Sequence, residues 1–427
     1  MVRVLIATEH ASARFGGEAA LPLHYFRVMR ARGIDVRMIT HARVRDELSE
    51  SFPQDRERIF YIEDAFIHRL MWRLGRFLPG RLSYITTGFV SRIVTQLAQR
   101  RLARELIARH GIDVVHQPMP VSPREPSLLY RLGAPVVIGP LNGNMEFPQA
   151  FRTKSERRLA FVEQLARSFS ETLNAWLPGK RHAAAIMVAN ERTRAALPGK
   201  LRGEILRIPE NGVDLALWRE RAPSPGLDST RAGTQMIFMG RLISLKAVDL
   251  LLVAFDRARA QSPMSLTVLG DGEEGAALRR LAQELGMLVD RPGVPGTVFF
   301  AGWKTQAECA QQLRDADVLL LPSLRECGGA VVLEAMACRL PVIATAWGGP
   351  LDYLDATTGI LVPPTSREEF IAGLADAMVR LGQSSELRRR LGDAARARIE
   401  AEFDWERKMD VILELYARAA SRSDAAA

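Results

Sequence analysis

Cysteine is scarce in this sequence, and its scarcity limits the classes of protein to which the chain can belong. The 427 residues contain three cysteines, Cys309, Cys327 and Cys338. Three cysteines in a chain of this length cannot form the disulfide framework that stabilises small secreted domains. We therefore expect the protein to occupy a reducing compartment, the cytoplasm.

Long apolar runs are also missing. No run approaches the roughly 20 apolar residues that a membrane-spanning helix needs. The first residues, MVRVLIATEH, lead directly into a short apolar run and lack the arrangement of a secretory signal peptide. This pattern predicts a buried first strand.

Acidic residues are few relative to basic ones, and the imbalance is concentrated in one segment. The formal net charge is +9, and between Phe66 and His110 nine arginines stand against one glutamate, a local excess of +8. Helical spacing places Leu70, Met71, Leu74, Phe77 and Leu78 on one side of a helix and Arg69, Arg73 and Arg76 on the opposite side. Two interpretations remain open. The apolar side fills a domain core while the arginines are solvated, or the segment contacts an anionic membrane surface.

Short apolar runs alternate with helical patterns along most of the chain, which indicates βα units around parallel sheets. The predicted strands are RVLIAT, IDVRMIT, IDVVHQ, APVVIG and AAIMVA in an early series, and QMIFMG, SLTVLG, TVFFAG, ADVLLLPS, PVIAT and GILVPP in a later one. Each series has the size of one doubly wound sheet. We predict an α/β protein with an N-terminal domain of residues 1–198, joined by a C-terminal helix of residues 402–427, and a C-terminal domain of residues 199–401.

Two basic residues follow the first strand of the later series. In MGRLISLKAVDLLLVAF, Arg241 and Lys246 stand between a predicted strand and a predicted helix. Ligands of open α/β sheets bind at the carboxyl ends of the strands. Arginine can bind a diphosphate through paired hydrogen bonds, and lysine adds a point charge. Taken alone, the pattern also fits two surface cations on a loop.

Two carboxylates flank a small, uncharged spacer in RECGGAVVLEAMA. Glu326 and Glu334 stand eight positions apart, with two glycines between them. The glycines begin a helix whose first N–H groups have no bulky neighbour, and such a helix start favours an anion. Carboxylates accept hydrogen bonds from paired hydroxyl groups. The stretch therefore supplies groups for the phosphates and the sugars of a sugar nucleotide.

These motifs give the chain a specific resemblance. Residues 204–364 resemble the donor-binding domain of the retaining glycosyltransferases of family 4. The matching elements are NGVD, GRL with Lys246, GDG, FFAGW, the two glutamates, PVIAT with the following GG, and TGILVPP. The resemblance implies the GT-B fold, in which two Rossmann-like doubly wound domains face each other across a cleft. It implies that the donor binds mainly to the C-terminal domain and the acceptor to the N-terminal domain.

The resemblance also implies roles for particular residues. Arg241 and Lys246 would hold the donor diphosphate, Glu326 would contact the transferred sugar, and Glu334 would contact the ribose. Backbone amides around Cys327, Gly328, Gly329 and Ala330 would serve the sugar and phosphates, and Trp303 would lie near the base. Gly16 and Gly17 would let a loop of the first domain approach the diphosphate, and His116 would lie near the reacting centre.

Three short stretches depart from the family pattern. Cys327-Gly328-Gly329 replaces the usual Pro or Gly followed by Phe-Gly, Ala247 stands where a glycine is expected, and PENGVD carries an additional Glu210. None of these departures removes a charged ligand. The first alters the wall of the sugar pocket, so the sequence does not identify the donor.

The resulting expectation is a retaining hexosyltransferase that uses a nucleotide diphosphate sugar as co-substrate, with no metal and no other cofactor. Its acceptor would be a glycan or a lipid-linked sugar in the synthesis of cell-surface polysaccharide or glycolipid, and an anionic membrane surface is a possible partner. The alternatives are another GT-B enzyme, such as an epimerase or phosphorylase, or a basic nucleic-acid-binding protein. The last leaves the glutamate pair unused and has no supporting motif, so we expect no nucleic-acid partner.

Overall fold

The structure, a computed structural model, describes residues 2–14, 17–78, 80–152, 170–220 and 233–424. Contacts between residues divide the chain into two compact units. The first unit consists of three segments. One ends at Asn144, the second ends at Glu210, and the third begins at Trp405. The second unit contains Asn211–Asp404 and a short segment that begins at Met145. The division at 210/211 falls twelve residues after the predicted one at 198/199, and the division at 404/405 falls three residues after the predicted one at 401/402.

The first unit is built on a parallel sheet of seven strands in the order β3-β2-β1-β4-β5-β6-β7. The strands are β1 (Val4–Ala7), β2 (Val36–His41), β3 (Ile59–Ile62), β4 (Val114–Gln117), β5 (Val136–Leu141), β6 (Ala185–Val188) and β7 (Glu204–Arg207). The strand order reverses between β1 and β4, as in a doubly wound sheet.

Helices of the first unit follow most of these strands. They are α1 (Gly17–Ala31), α2 (Arg45–Ser51), α3 (Phe66–Gly75), α4 (Gly80–Ile85), α5 (Thr87–His110), α6 (Gly179–His182) and α7 (Glu191–Arg194). Strand β1 is buried on both faces. Val4 and Ile6 belong to one apolar core, while Leu5 and Ala7 belong to another. The sheet is therefore covered on both sides, as parallel sheets require.

The second unit is also built on a parallel sheet of seven strands, in the order β10-β11-β9-β8-β12-β13-β14. The strands are β8 (Thr234–Met239), β9 (Met264–Leu269), β10 (Leu288–Val289), β11 (Val298–Gly302), β12 (Val318–Leu321), β13 (Val342–Thr345) and β14 (Gly359–Val362). The helices are α8 (Val248–Arg259), α9 (Gly275–Glu284), α10 (Gln306–Asp315), α11 (Ala330–Ala337), α12 (Pro350–Tyr353), α13 (Arg367–Gln383) and α14 (Ser385–Arg398). These elements enclose one large apolar core, and the α/β prediction is confirmed.

Single turns also occur. The 3-10 turns are Ala42–Val44, Arg56–Arg58, Gln149–Phe151 and Ser244–Lys246, and Ile399–Phe403 forms a π-helical turn.

The last helix, α15 (Trp405–Asp424), follows the second unit in sequence and packs on the first. Its apolar side contributes Trp405, Met409, Ile412 and Tyr416 to a core of the first unit. These residues recur at the spacing of one helix face. Helix α15 therefore packs on the first unit through this face.

Helix α3, at the start of the arginine-rich segment, lies outside the apolar cores, whereas Ala103 and Leu106 of α5 belong to one of them. Helix α3 turns His68 and the half-buried Met71 and Gly75 towards the unit, whereas Leu70 and Leu74 are exposed. On the predicted apolar side, Leu70, Leu74 and Phe77 are exposed, while Met71 and Leu78 are half-buried. The interpretation that this side fills a domain core is therefore wrong for α3. None of the described helices is long and apolar enough to cross a membrane.

Candidate active site

Three loops of the second unit meet at the carboxyl ends of β8, β12 and β13. Leu324, after β12, donates its N–H to the carbonyl oxygen of Leu245, after β8, over 2.9 Å. Gly349, after β13, donates its N–H to the carbonyl oxygen of Glu326 over 2.7 Å. Because β12 lies between β8 and β13 in the sheet, these bonds join neighbouring strand ends. This is the edge at which open α/β sheets bind ligands.

Lys246 and Glu326 form an ion pair at this edge, between Nζ and Oε2. Their side chains are only 15% and 14% exposed, so water screens this pair less than it screens a surface pair. The other carboxylate oxygen of Glu326 makes no hydrogen bond within the described part of the chain. The sequence predicted contacts to different parts of a donor, and the structure places the two side chains in direct contact.

The helix start beside Glu326 presents free backbone donors. Gly329 adopts a left-handed conformation with φ of +68° and precedes α11. A Cβ at this position would lie 3.1 Å from Cγ of Glu326. Among the described residues, no acceptor is bound by the N–H groups of Gly328, Gly329 and Ala330. These groups form an anion-binding helix start next to the ion pair.

The loop after β13 packs against residues 325–329, which we call the RECGG loop. An added Cβ at Gly349 would lie 2.6 Å from the carbonyl oxygen of Cys327 and 2.7 Å from that of Gly328. Gly348 has φ of +72°, and its Cβ would lie 2.5 Å from the carbonyl oxygen of Glu326. Only glycine permits this approach of the two backbones. The family motif contains these two glycines, and their role is visible only in the folded structure.

Glu334 lies on α11 and is half-buried. Burial raises the pKa of its carboxyl group to about 7. The side chain makes no ion pair or hydrogen bond with any other residue that the structure describes. A carboxylate in this state can accept hydrogen bonds from ligand hydroxyl groups, as the predicted ribose contact requires.

Arg241 directly follows Gly240 at the carboxyl end of β8, and its side chain is exposed. Its guanidinium group makes no ion pair or hydrogen bond with other described residues. The backbone beside it is fixed, because Leu242 donates its N–H to the carbonyl oxygen of Asp271 over 2.9 Å. A Cβ at Gly270 would lie 1.9 Å from the carbonyl oxygen of Gly240. The GDG glycines thus allow two loops to pack closely. This packing fixes the position of the backbone at Arg241.

Trp303 follows β11 and is 72% exposed. Gly302, the last residue of β11, accepts a hydrogen bond from the N–H of Gly270 over 2.9 Å. This bond ties the segment that carries Trp303 to the GDG loop. An indole ring that is this exposed at a strand end can stack on a planar ligand.

Two predicted residues belong to the glycine-containing loop of the first unit. Gly16 lies outside the described residues, so its predicted role stays a prediction. Gly17 is the first residue of α1, and a Cβ added there would meet no atom within 4 Å. Packing within the described chain therefore does not require glycine at position 17.

His116 lies in β4 and is fully buried. Its Nε2 bonds the carbonyl oxygen of Gly139 over 2.6 Å, and its Nδ1 bonds the hydroxyl group of Tyr416 over 2.7 Å. Burial lowers the pKa of the imidazole to about 4. The predicted catalytic role is not supported in this geometry, because both ring nitrogens are engaged inside the unit. His116 instead joins β4 to β5 and α15.

One group of possible metal ligands occurs among the described residues. His41, Asp64 and His68 of the first unit have ligand atoms within 4.8 Å of one another. However, Nδ1 of His68 accepts the N–H of Ala65 over 2.9 Å, and its Nε2 bonds Oγ1 of Thr95 over 3.0 Å. The group therefore lacks three free ligand atoms, and it lies in the other unit from the Lys246–Glu326 pair.

Solved glycosyltransferases share the fold of this chain. Sucrose-phosphate synthase from Thermosynechococcus elongatus aligns with a TM-score of 0.62 and 20% identity over 98% of this chain and 100% of its own. A glycosyltransferase from Rickettsia africae aligns with a TM-score of 0.66 and 16% identity over 98% of each chain. Anabaena Alr3699/HepE, solved with UDP-glucose, aligns with a TM-score of 0.60 and 15% identity over the whole of both chains. The chain has the GT-B fold.

One segment, most of it in the second unit, matches a family model. Residues 228–398 match the family model of glycosyl transferases group 1. This segment contains the candidate residues from Arg241 to Glu334. The chain therefore carries a glycosyl transferases group 1 domain, and the resemblance found in the sequence is confirmed at that level.

Curated relatives match about half of this chain. D-inositol 3-phosphate glycosyltransferase from Mycobacteroides abscessus is 33% identical over 218 residues, covering 50% of this chain and 46% of the relative. The protein of that name from Streptomyces bingchenggensis is 33% identical over 229 residues, covering 51% of this chain and 48% of the relative. The chain spans about half the length of the curated relatives it matches.

Proposed function

We propose that the protein is a glycosyltransferase that moves a hexose from a nucleoside diphosphate sugar to a glycan or lipid-linked acceptor. The proposal rests on the Lys246–Glu326 pair beside the free N–H groups of the glycine-rich helix start, within a group 1 domain. The cations and the N–H groups suit a diphosphate. The carboxylates suit sugar hydroxyl groups.

In the proposed reaction, the bond between the anomeric carbon of the hexose and the diphosphate oxygen breaks, and a bond forms from that carbon to the oxygen of an acceptor hydroxyl group. The hydroxyl proton passes to the leaving diphosphate. Negative charge then develops on the leaving phosphate oxygen. Arg241, Lys246 and the N–H groups of residues 328–330 stabilise this charge. Glu326 accepts hydrogen bonds from the hexose, and Glu334 accepts them from the ribose. Trp303 stacks on the base, and His116 takes no chemical part.

We further propose that the anomeric configuration is retained and that no metal is required. The resemblance to family 4 supports retention. Arg241 and Lys246 support metal independence, because they offer positive charge where a metal ion would otherwise neutralise the diphosphate. Retention is tested by the anomeric configuration of the product in proton NMR spectra.

The acceptor is proposed to belong to the synthesis of cell-surface polysaccharide or glycolipid, with the enzyme in the cytoplasm on the inner face of the membrane. A second acceptor class, a phosphorylated polyol, is favoured by the name of the relatives, D-inositol 3-phosphate glycosyltransferase. The two classes are distinguished by offering each acceptor with the same donor and identifying the product by mass spectrometry.

The donor proposal is tested with a panel of nucleoside diphosphates and their hexoses, beginning with UDP and UDP-glucose, the ligand of Anabaena Alr3699/HepE. One nucleoside diphosphate should raise the melting temperature equally in magnesium and in excess chelator. The matching nucleotide sugar should be hydrolysed slowly and transferred when an acceptor is present. Conversion of the sugar to its epimer would support the alternative GT-B activity. No thermal shift with any nucleotide would contradict the donor site.

A further inference from the structure

Exposed apolar side chains are concentrated in one segment of the first unit. Of the fifteen large apolar residues that are exposed in the described chain, eleven lie between Phe66 and Leu97. They are Phe66, Ile67, Leu70, Trp72, Leu74, Phe77, Leu82, Tyr84, Ile85, Val90 and Leu97. Apolar side chains exposed in such number within one stretch of chain are unusual in soluble proteins and indicate an interaction surface. We call residues 66–97 the docking segment.

Helix α3 is held in place by its inner face. His68 is buried, its Nδ1 accepts the N–H of Ala65, and its Nε2 bonds Oγ1 of Thr95 on α5. The half-buried Met71 lies one turn further along the same face. Since α3 is fixed from the inside, the exposure of its other residues is a property of the folded unit.

The exposed part of α3 is divided between apolar residues and arginines. At 100° per residue, Leu70 and Leu74 lie together with Phe66, while Arg69 and Arg73 lie on the other flank. Phe77, just beyond the helix, is 87% exposed. The segment therefore presents an apolar stripe with arginines along one side.

The charge of the docking segment has one sign. Residues 66–97 contain five arginines and no aspartate or glutamate. Arg69, Arg73 and Arg76 make no ion pair with any described residue, whereas Arg92 is paired with Glu125. The guanidinium group of Arg76 lies 5.1 Å from the ring centroid of Trp72. The free arginines favour an anionic partner.

We propose that the docking segment binds the surface of a bilayer that contains anionic lipids. A second apolar protein surface would leave three arginines without counter-charges, while a bilayer supplies hydrocarbon and phosphate groups together. Phe66, Leu70, Leu74 and Phe77 would enter the interface, and Trp72 and Tyr84 would lie at the level of the headgroups. The docking segment lies in the other unit from the donor site, so the proposal stands or fails independently of the proposed reaction.

Vesicle co-sedimentation of the full chain tests the proposal. The protein should bind vesicles of phosphatidylglycerol and phosphatidylcholine, bind phosphatidylcholine vesicles far less, and be released by added salt. Replacing Arg69, Arg73 and Arg76 by glutamine should weaken binding roughly fivefold per arginine, about 100-fold in all. Phe77→Ser should also weaken binding, because it removes an exposed apolar side chain.

Matched control variants distinguish the docking segment from general effects. Trp176→Ser removes a side chain that is 80% exposed elsewhere in the first unit, and Arg101→Gln removes an exposed arginine of α5 outside the segment. Neither should change vesicle binding, and all variants should keep the melting temperature of the wild type. Absence of binding at low salt, or equal binding to both vesicle types, would overturn the proposal. A wild-type dimer that Phe77→Ser converts to monomer would show instead that a second copy covers the segment.

Discussion

Lys246 and Glu326, 80 positions apart in the chain, form a largely shielded ion pair in the second unit. The pair exists because β8 and β12 are neighbours in the sheet and both carry loops at their carboxyl ends. A group expected to bind phosphate is therefore already linked to a group expected to bind sugar. Substitution of either residue changes the surroundings of the other.

The first prediction is that the two residues are energetically coupled. Lys246→Met and Glu326→Gln should each lower the free energy of unfolding by about 1–3 kcal/mol, because each leaves a shielded polar group without its partner. The double variant should lose less than the sum of the two single variants. The measurement is a double-mutant cycle from urea unfolding. The transition that is followed is the one whose midpoint moves when nucleotide is added, because this transition reports on the second unit.

The exposed pair of Arg101 and Glu105 supplies the control. Its side chains are 86% and 60% exposed, so the coupling energy should be about 0–0.5 kcal/mol. Equal coupling for the two pairs would mean that shielding gives Lys246 and Glu326 no special interaction.

The second prediction separates the two glutamates by ligand. Glu334→Ala should weaken binding of nucleoside diphosphate and of nucleotide sugar roughly 10- to 100-fold, because both lose a charged hydrogen bond to the ribose. Glu326→Ala should spare the diphosphate, since it frees Lys246, and should lower turnover. Isothermal titration and a transfer assay measure the two effects. If both variants bound nucleoside diphosphate as the wild type does, the ribose role of Glu334 would be wrong.

The third prediction concerns pH. Burial raises the pKa of Glu334 from 4.5 to about 7. Between these values the unfolded chain releases a proton that the folded chain keeps, so the stability from this group is present below pH 4.5 and lost by about pH 7. The Glu334→Gln variant has no carboxyl group at this position, so this position no longer titrates. Its stability relative to the wild type should therefore rise from pH 4.5 to 7 and then level off in urea unfolding. A difference that does not change with pH would contradict the shifted pKa.

The sequence predicted the central strands well and missed three. All eleven predicted strands are present, from β1 to β14, because they are buried runs of apolar residues. The missed strands, β3, β7 and β10, lie at sheet edges. An edge strand is paired on one side only, and β7 and β10 contain no buried residue. Strands β7 and β10 each contain only two adjacent apolar residues, so they lack the longer apolar run that identifies a buried strand. Strand β3, IFYI, is an apolar run of four residues that the sequence analysis missed.

The site was predicted in part, for a similar reason. Strand ends and the glycine-led helix start are local features, so the positions of Arg241, Glu326 and Glu334 followed from the sequence. The Lys246–Glu326 pair depends on the order of strands, which no local pattern contains. Ala247 has a left-handed φ of +49° at the start of α8, although local preference reserves that conformation mainly for glycine. Helical spacing identified the apolar side of α3 but not whether it was covered.

The fourth prediction assigns His116 to stability. Tyr416→Phe should lower the free energy of unfolding by about 1–3 kcal/mol, because Nδ1 of His116 loses its donor inside the core. Turnover per folded molecule should be unchanged. Burial lowers the pKa of His116 from 6.5 to about 4, so its contribution to stability should be lost as the pH falls between these values. A His116→Gln variant that folds normally but loses turnover would restore the catalytic interpretation.

The fifth prediction tests whether the loop after β13 sets the position of the site. Gly349→Ala would place a Cβ 2.6 Å from the carbonyl oxygen of Cys327, so the RECGG loop must move and carry Glu326 with it. A displacement of this order in a reacting group can lower turnover roughly 100-fold. The control is Gly199→Ala, where an added Cβ meets no atom within 4 Å and turnover should be unchanged. Because Gly349 offers no side chain to a ligand, the variant removes no side-chain contact with the ligand. Wild-type turnover in Gly349→Ala, with its Cβ confirmed in a crystal structure, would show that the position of Glu326 does not control the reaction.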